Sequence, residues 1–260
     1  NLLIGAAWFG PLPVPEAVRR CESIVARSSE RRRIKASALR ALTGLKAMQG
    51  DFDEARELIE RHRALVQDLE LSVSAAHAAE SYGIVEMLAG DPVAAERELR
   101  RGYETLEQLG GEMNVSPLAA LLAQALSAQG RAEEALLFTE LSERAALPDD
   151  RYAHVEWRAA RAKALSALRR ADEAEALARE AVALAEQTDF LVVHADALMI
   201  LGDVLRLAGR ADESRPVVEN ALRLYEQKGN VVSAASARAA LERTGPAAQR
   251  GATEPSSRRT

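Results

Sequence analysis

One turn signature recurs along this chain at an almost constant interval, and that metre limits the fold more than any other feature. Gly50-Asp51-Phe52-Asp53-Glu54-Ala55 is followed by Gly90-Asp91-Pro92-Val93-Ala94-Ala95, Gly130-Arg131-Ala132-Glu133-Glu134-Ala135, Arg169-Arg170-Ala171-Asp172-Glu173-Ala174 and Gly209-Arg210-Ala211-Asp212-Glu213-Ser214. The closing residues lie 40, 40, 39 and 40 positions apart, and a weaker copy, Pro13-Val14-Pro15-Glu16-Ala17, lies 38 before Ala55. A period of this size is the mark of a repeat architecture, in which each unit buries its apolar face against the next.

Each copy reads as a helix end, a tight turn and a helix start. Glycine accepts the left-handed conformation that closes a helix. The acids after it suit the positive end of the helix that follows. Twelve residues before each closing residue stands another small or short one: Gly5, Thr43, Gly83, Ala123, Ala162 and Gly202. A large apolar neighbour accompanies it at Ile4, Leu42, Tyr82, Leu122 and Leu201, and Arg161 breaks the rule. Small against large on facing helices is a packing code. Within a segment the period is helical: Ala55, Leu58, Ile59, Leu65, Val66 and Leu69 follow the i, i+3, i+4, i+7 template. Glu57–Arg61, Glu96–Arg100 and Glu175–Arg179 are i, i+4 pairs with the acid first, the favourable order.

The spacing predicts helices near 1–9, 15–28, 31–49, 52–69, 72–89, 92–109, 115–129, 132–146, 150–168, 171–187, 190–208 and 211–227, with a capping helix near 231–243. Apolar residues are 48% of the chain but aromatics only 4%. Alanine and leucine therefore carry the core, which favours close-packed helices over a sheet. The expected fold is all-α: a right-handed α-solenoid of about six helix-turn-helix repeats over 1–244, followed by a disordered tail at 245–260, rich in Pro, Gly, Ser and Arg.

Net charge is −5, so there is no bulk basic excess for phosphate binding. Cys21 is the single cysteine, which rules out an internal disulfide and a cysteine-rich zinc site and fits a cytoplasmic setting. The apolar start from Asn1 to Phe9 is too short to span a bilayer and lacks a basic n-region. It reads as a cut inside a helix, so the chain is expected to be part of a longer protein.

The G-x-[FY]-x-E-A turn, matched best by Phe52, Glu54 and Ala55, and the small residues of the first helices resemble the tetratricopeptide repeat. The period of about 40 exceeds that family's usual length, and the closing proline is missing except at Pro148. A narrower resemblance lies in Glu175–Leu191, Ala195-Asp196-Ala197-Leu198, Leu205–Arg210 and Tyr225–Val232. These stretches are similar to the C-terminal region of bacterial adenylate/guanylate cyclase-domain proteins, where a cyclase and an AAA-type ATPase precede the repeats. The resemblance implies a regulatory role and puts no cyclase residues in this chain.

No phosphate-binding loop, G-x-G-x-x-G, G-x-S-x-G elbow or H-E-x-x-H motif occurs. No catalytic residues, metal ligands or cofactor are therefore expected. His154 and His194 are equivalent positions 40 apart, and they read as helix-end or groove-lining side chains. Trp157, Arg158, Arg161 and Lys163 offer a ring and three cations on one helix. A tryptophan that fills the core, among cations that are solvated or paired with neighbouring acids, is the favoured reading over contact with an anionic partner. Arg27, Arg31, Arg32, Arg33 and Lys35 form a basic turn, and Met48, Met87 and Met199 read as core or groove fillers.

In tetratricopeptide folds the first helices line the concave face. That resemblance carries Arg40, His77, Glu80, Gln124, Lys163, Asp196, Asp203 and Arg206 to the groove. Their mixed sign points to a partner bearing both charges. The function expected is a non-catalytic scaffold that binds a protein, a peptide or a small effector, with no membrane and no nucleic-acid contact, in a bacterial signalling protein. The helical region of a transcription regulator and a free-standing assembly adaptor are the alternatives.

Overall fold

The computed structural model describes residues 2–28, 30–109 and 115–243, with the backbone alone at 2–4. The expected tail at 245–260, Asn1 and the Ile4 side chain lie outside the described residues. Thirteen helices follow one another among the described residues: α1 (Leu2–Trp8), α2 (Val14–Arg27), α3 (Arg32–Gln49), α4 (Phe52–Asp68), α5 (Ser72–Leu88), α6 (Pro92–Gln108), α7 (Ser116–Ala128), α8 (Ala132–Ala145), α9 (Arg151–Ala167), α10 (Ala171–Ala185), α11 (Leu191–Leu207), α12 (Ala211–Lys228) and α13 (Val231–Arg243). Each expected boundary falls within two residues of the observed one. None of these helices is long and apolar enough to cross a membrane.

The turns explain that agreement. Gly50 adopts φ 91°, and its N–H and that of Asp51 donate back to the carbonyls of Ala47 and Lys46 at 3.0 Å. These bonds satisfy acceptors that a helix end leaves open. Arg169 does the same without being glycine. It sits at φ 64°, and its N–H donates to the Ser166 carbonyl at 3.1 Å. A side chain there is strained, and the repeat geometry holds it in place.

The packing code is realised in the middle of the array. Ala55, Ala95, Ala135 and Ala174 are fully buried. A Cβ added at Gly83 would stand 2.5 Å from Leu99, and one at Gly202 would stand 2.5 Å from Val218. Gly5 departs from the code, since nothing lies within 4 Å of the Cβ it lacks. α1 is short and rests mainly on α3 rather than on α2. The Glu96–Arg100 and Glu175–Arg179 pairs form at 2.7 and 2.8 Å. Glu57 and Arg61 are both exposed and make no ion pair among the described residues. Neither has a neighbouring repeat's charge to hold it, whereas Glu96 and Glu175 each reach an arginine of the next turn.

The odd-numbered helices α1 to α11 stack along the inside, and each even-numbered partner packs outside it. The array curls until its ends meet. α13 packs against α3, and the turn at Gly229 lies against Val14 and Pro15. The Trp8 ring fills the space where a Gly44 side chain would be, and its indole N–H donates to the Ala41 carbonyl at 2.6 Å. Phe9 stacks on Tyr152 with centroids 4.9 Å apart and tilts against Phe190. The Lys228 ammonium, 0% exposed, donates to the carbonyls of Ala7, Gly10 and Leu12 at 2.7, 2.8 and 2.8 Å. It thereby meets the carbonyls at the negative end of α1.

Candidate functional site

Curling deepens the concave face, so the expected groove is a partly open cavity of about 460 Å³. Its walls follow from the repeat. Ile84, Gln124, Lys163 and Asp203 occupy one register position on α5, α7, α9 and α11, and Glu156 and Asp196 share another, one helix face along. The apolar wall is built from Met48, Met87, Leu121, Val155, Met199 and Ile200, with Trp8 and Phe9 reaching in from the other end of the chain. The three methionines are thus cavity fillers.

At one end the cavity is acidic. Glu156 is 7% exposed, and one carboxyl oxygen accepts from the Gln124 amide at 2.9 Å. Burial, with the charges of Asp196 and Glu80 added, pushes its pKa up to about 8. Asp196 has open surface, but that surface faces the cavity and protein surrounds it. It accepts from the Tyr225 hydroxyl at 2.5 Å, and burial raises it to about 6. Behind this pair, Tyr152 donates to Glu80 at 3.1 Å. The Arg40 guanidinium donates to Ser81 at 2.6 Å and lies 3.5 Å from Glu80. Burial raises Glu80 while the Arg40 charge opposes it. His77 stands near Arg40, and burial first, then that charge, lowers its pKa.

At the other end the sign reverses. Lys163 makes no hydrogen bond and no ion pair among the described residues, although Asp203 acts on it from farther off. Burial lowers its pKa, and Asp203 partly offsets that. Asp203 itself pairs with Arg206 at 3.2 Å.

The structure brings Gln124, Lys163, Asp196, Asp203 and Arg206 into the lining and sets Arg40, His77 and Glu80 just behind the acidic end. His154, Trp157, Arg158 and His194, expected in the groove, do not line it. Trp157 is buried between two guanidinium groups, Arg158 at 4.1 Å and Arg161 at 4.7 Å, and its N–H donates to His154 at 3.3 Å. Arg158 reaches Glu180 on α10, and Arg161 reaches Glu143 on α8. These cations face the outer helices and already have acids of their own. His194 is lowered by burial, with Glu186 opposing.

Glu156 and Tyr152 escaped the sequence reading. The available signal was register: Glu156 stands 40 residues before Asp196, which had been assigned to the groove. A second missed pair lies on the outer side. His62 Nδ1 is 2.5 Å from the Tyr82 hydroxyl, and burial with the Arg40 and Arg63 charges lowers His62 to about 4. Among the described residues no group of three or more His, Cys, Asp or Glu side chains is arranged to hold a metal.

The paired helices, their glycine turns and their small-residue contacts make a tetratricopeptide-like helical repeat. No family model matches the chain, and no curated protein does either. Among solved structures, BtubC (BKLC) from P. vanneervenii is similar at 18% identity and TM-score 0.48, over 82% of this chain and 96% of that one. The TPR2AB domain of yeast Sti1, in a complex with pHSP90, is similar at 12% identity and TM-score 0.39, over 89% of this chain and 92% of that one.

Proposed function

We propose that this chain is a non-catalytic sensing scaffold that takes a small effector or a short peptide segment into its interior cavity. The observation that carries the reading is the cavity itself. It is apolar along its walls and charged at both ends, and it is deep because the two ends of the array meet. Ligand sites are typically concave, mostly apolar and furnished with a few placed polar groups. Here the polar groups come from three successive inner helices, α7, α9 and α11, so a bound molecule would bridge several repeats. Binding that draws those helices together would change the curvature at the junction of α3, α12 and α13. That junction is the place from which a signal would pass to an attached domain.

The stretches around Glu175–Leu191 and Tyr225–Val232 support placing the chain in the regulatory part of a bacterial signalling protein with nucleotide cyclase and ATPase domains. A transcription regulator with its DNA-binding domain elsewhere is the second reading, supported by the same long repeat.

A thermal-shift screen with small metabolites and short peptides tests the cavity reading. Met87→Trp fills the cavity and serves as the control. Compounds that raise the melting temperature of the native chain but not that of Met87→Trp are the expected result. Protection that persists undiminished in the filled variant, or no protection by any compound, would sink the reading.

A further inference from the structure

Resting on that cavity reading, we propose that the site is built for a linear zwitterion: an ammonium group between Glu156 and Asp196, and an acidic group at Lys163. The argument starts from unmet charge. Glu156 and Asp196 accept hydrogen bonds only from neutral groups, Gln124 and Tyr225, and no cation pairs with either among the described residues. Lys163 is half-buried, lines the same cavity and makes no hydrogen bond or ion pair among the described residues. Titratable groups that line a cavity with their charged forms penalised and no opposite charge in contact are candidate binding groups.

The two poles are dipolar as wholes. Glu156, Asp196 and Glu80 outnumber Arg40 at one end, and Lys163 with Arg206 outnumbers Asp203 at the other. Glu156 and Lys163 are seven residues apart on α9, so they share a face and lie about 10 Å apart along the axis. An extended chain covers about 3.3–3.6 Å per residue. A tripeptide therefore spans the distance between the poles, and so does an aminoalkanoate of similar length. The side wall between them is apolar, with Leu121, Val155 and Ile200.

A proton should leave when the ammonium arrives. Glu156 is mostly protonated near neutral pH, as its surroundings dictate. Burial, Asp196 on α11 and Glu80 on α5 press it toward the neutral form, and the Gln124 amide on α7 opposes them; Arg40 on α3, His77 on α5, Tyr152 on α9 and Tyr225 on α12 stand behind, while Lys163, Asp203 and Arg206 lie at the far pole. An ammonium beside it favours the carboxylate.

The experiment is calorimetric titration of the whole chain, with Trp8 fluorescence as a second readout. The probes are trialanine, its N-acetyl and C-amide forms, aminooctanoate and octanol. Trialanine or aminooctanoate should bind, and each cap on trialanine should weaken binding about tenfold or more. The binding heat should depend on the buffer's ionisation heat, and Glu156→Gln should abolish that dependence. Lys163→Met should weaken free trialanine about tenfold and leave its amide unchanged. If trialanine binds and aminooctanoate does not, the ligand is a peptide; the reverse points to an aliphatic amino acid. Capped forms that bind as well as free ones, or octanol binding equally well, overturn the zwitterion while leaving the cavity as an effector site. No binding by either zwitterion also overturns it, and the screen described above then judges the cavity separately.

Discussion

The two faces of this solenoid use the same charged residue types in opposite ways. On the outer face, arginines just after the turns bridge consecutive repeats. Arg131 reaches Glu96 at 2.7 Å and Glu134 at 2.5 Å, and Arg210 reaches Glu175 at 2.5 Å and Glu213 at 2.6 Å. On the inner face, Asp196 and Lys163 have no opposite charge in contact, and burial pushes Glu156 toward its neutral form. Outer charges keep most of their hydration and pair at little cost or gain. Inner groups face the cavity rather than a partner, and burial penalises their charged forms. The difference teaches that the outer charges are spent on joining one repeat to the next, whereas the inner groups join nothing and are the ones the proposed ligand would meet.

Four substitutions can break or sharpen that contrast. The largest effect is expected at Lys228, a buried charge that is fully satisfied. Lys228→Met would strand three carbonyls, each worth about 1–3 kcal/mol when left unmet in the interior. A loss of roughly 3–5 kcal/mol in urea unfolding is expected, and an unchanged midpoint would show that the ends do not meet as described.

Glu156 is next and opposite in sign. Its pKa is near 8 in the folded chain and near 4.5 when unfolded. Between those values the folded state holds the extra proton, so stability falls as pH rises from about 4.5 to 8. Glu156→Gln keeps the hydrogen-bonding shape and should gain on the order of 2 kcal/mol at neutral pH and almost nothing at acidic pH. Parallel unfolding curves at both values check this, and an equal effect at both would refute it.

Lys163→Met should leave stability level or raise it by about 1 kcal/mol, since it removes an unpaired buried ammonium; calorimetric melting with and without salt should give the same difference. Arg131→Ala should have the smallest effect of the four, a slight loss that shrinks at high ionic strength in the same melting measurement. A salt-insensitive loss there would mean that the outer ladder is not electrostatic.

Much of the fold could be read from the chain because its determinants are local. A helix end written as glycine and a buried alanine such as Ala95 or Ala135 specify their own turns and contacts within a few residues. Ring closure could not be read that way. It depends on the small rotation between neighbouring repeats, summed over the whole array, and no short stretch encodes that sum. Lys228 looks like an ordinary cation in a last helical turn, and Trp8 like a stray apolar residue, until the far end of the chain arrives. The cavity was half legible. Gln124, Lys163, Asp196 and Asp203 follow from their place on first helices. Arg158 and Arg161, on the same helix as Lys163, reach Glu180 on α10 and Glu143 on α8 instead, because facing is decided by rotation within a turn rather than by membership of a helix.

The three carbonyls held by Lys228 turn a line of repeats into a loop. In an open array the terminal units have one neighbour each and come apart before the middle does. Here the first and last units guard one another, so fraying has nowhere to start. Amide hydrogens of α2 and α12 should then exchange as slowly as those of α7, and the whole array should open in one step or not at all.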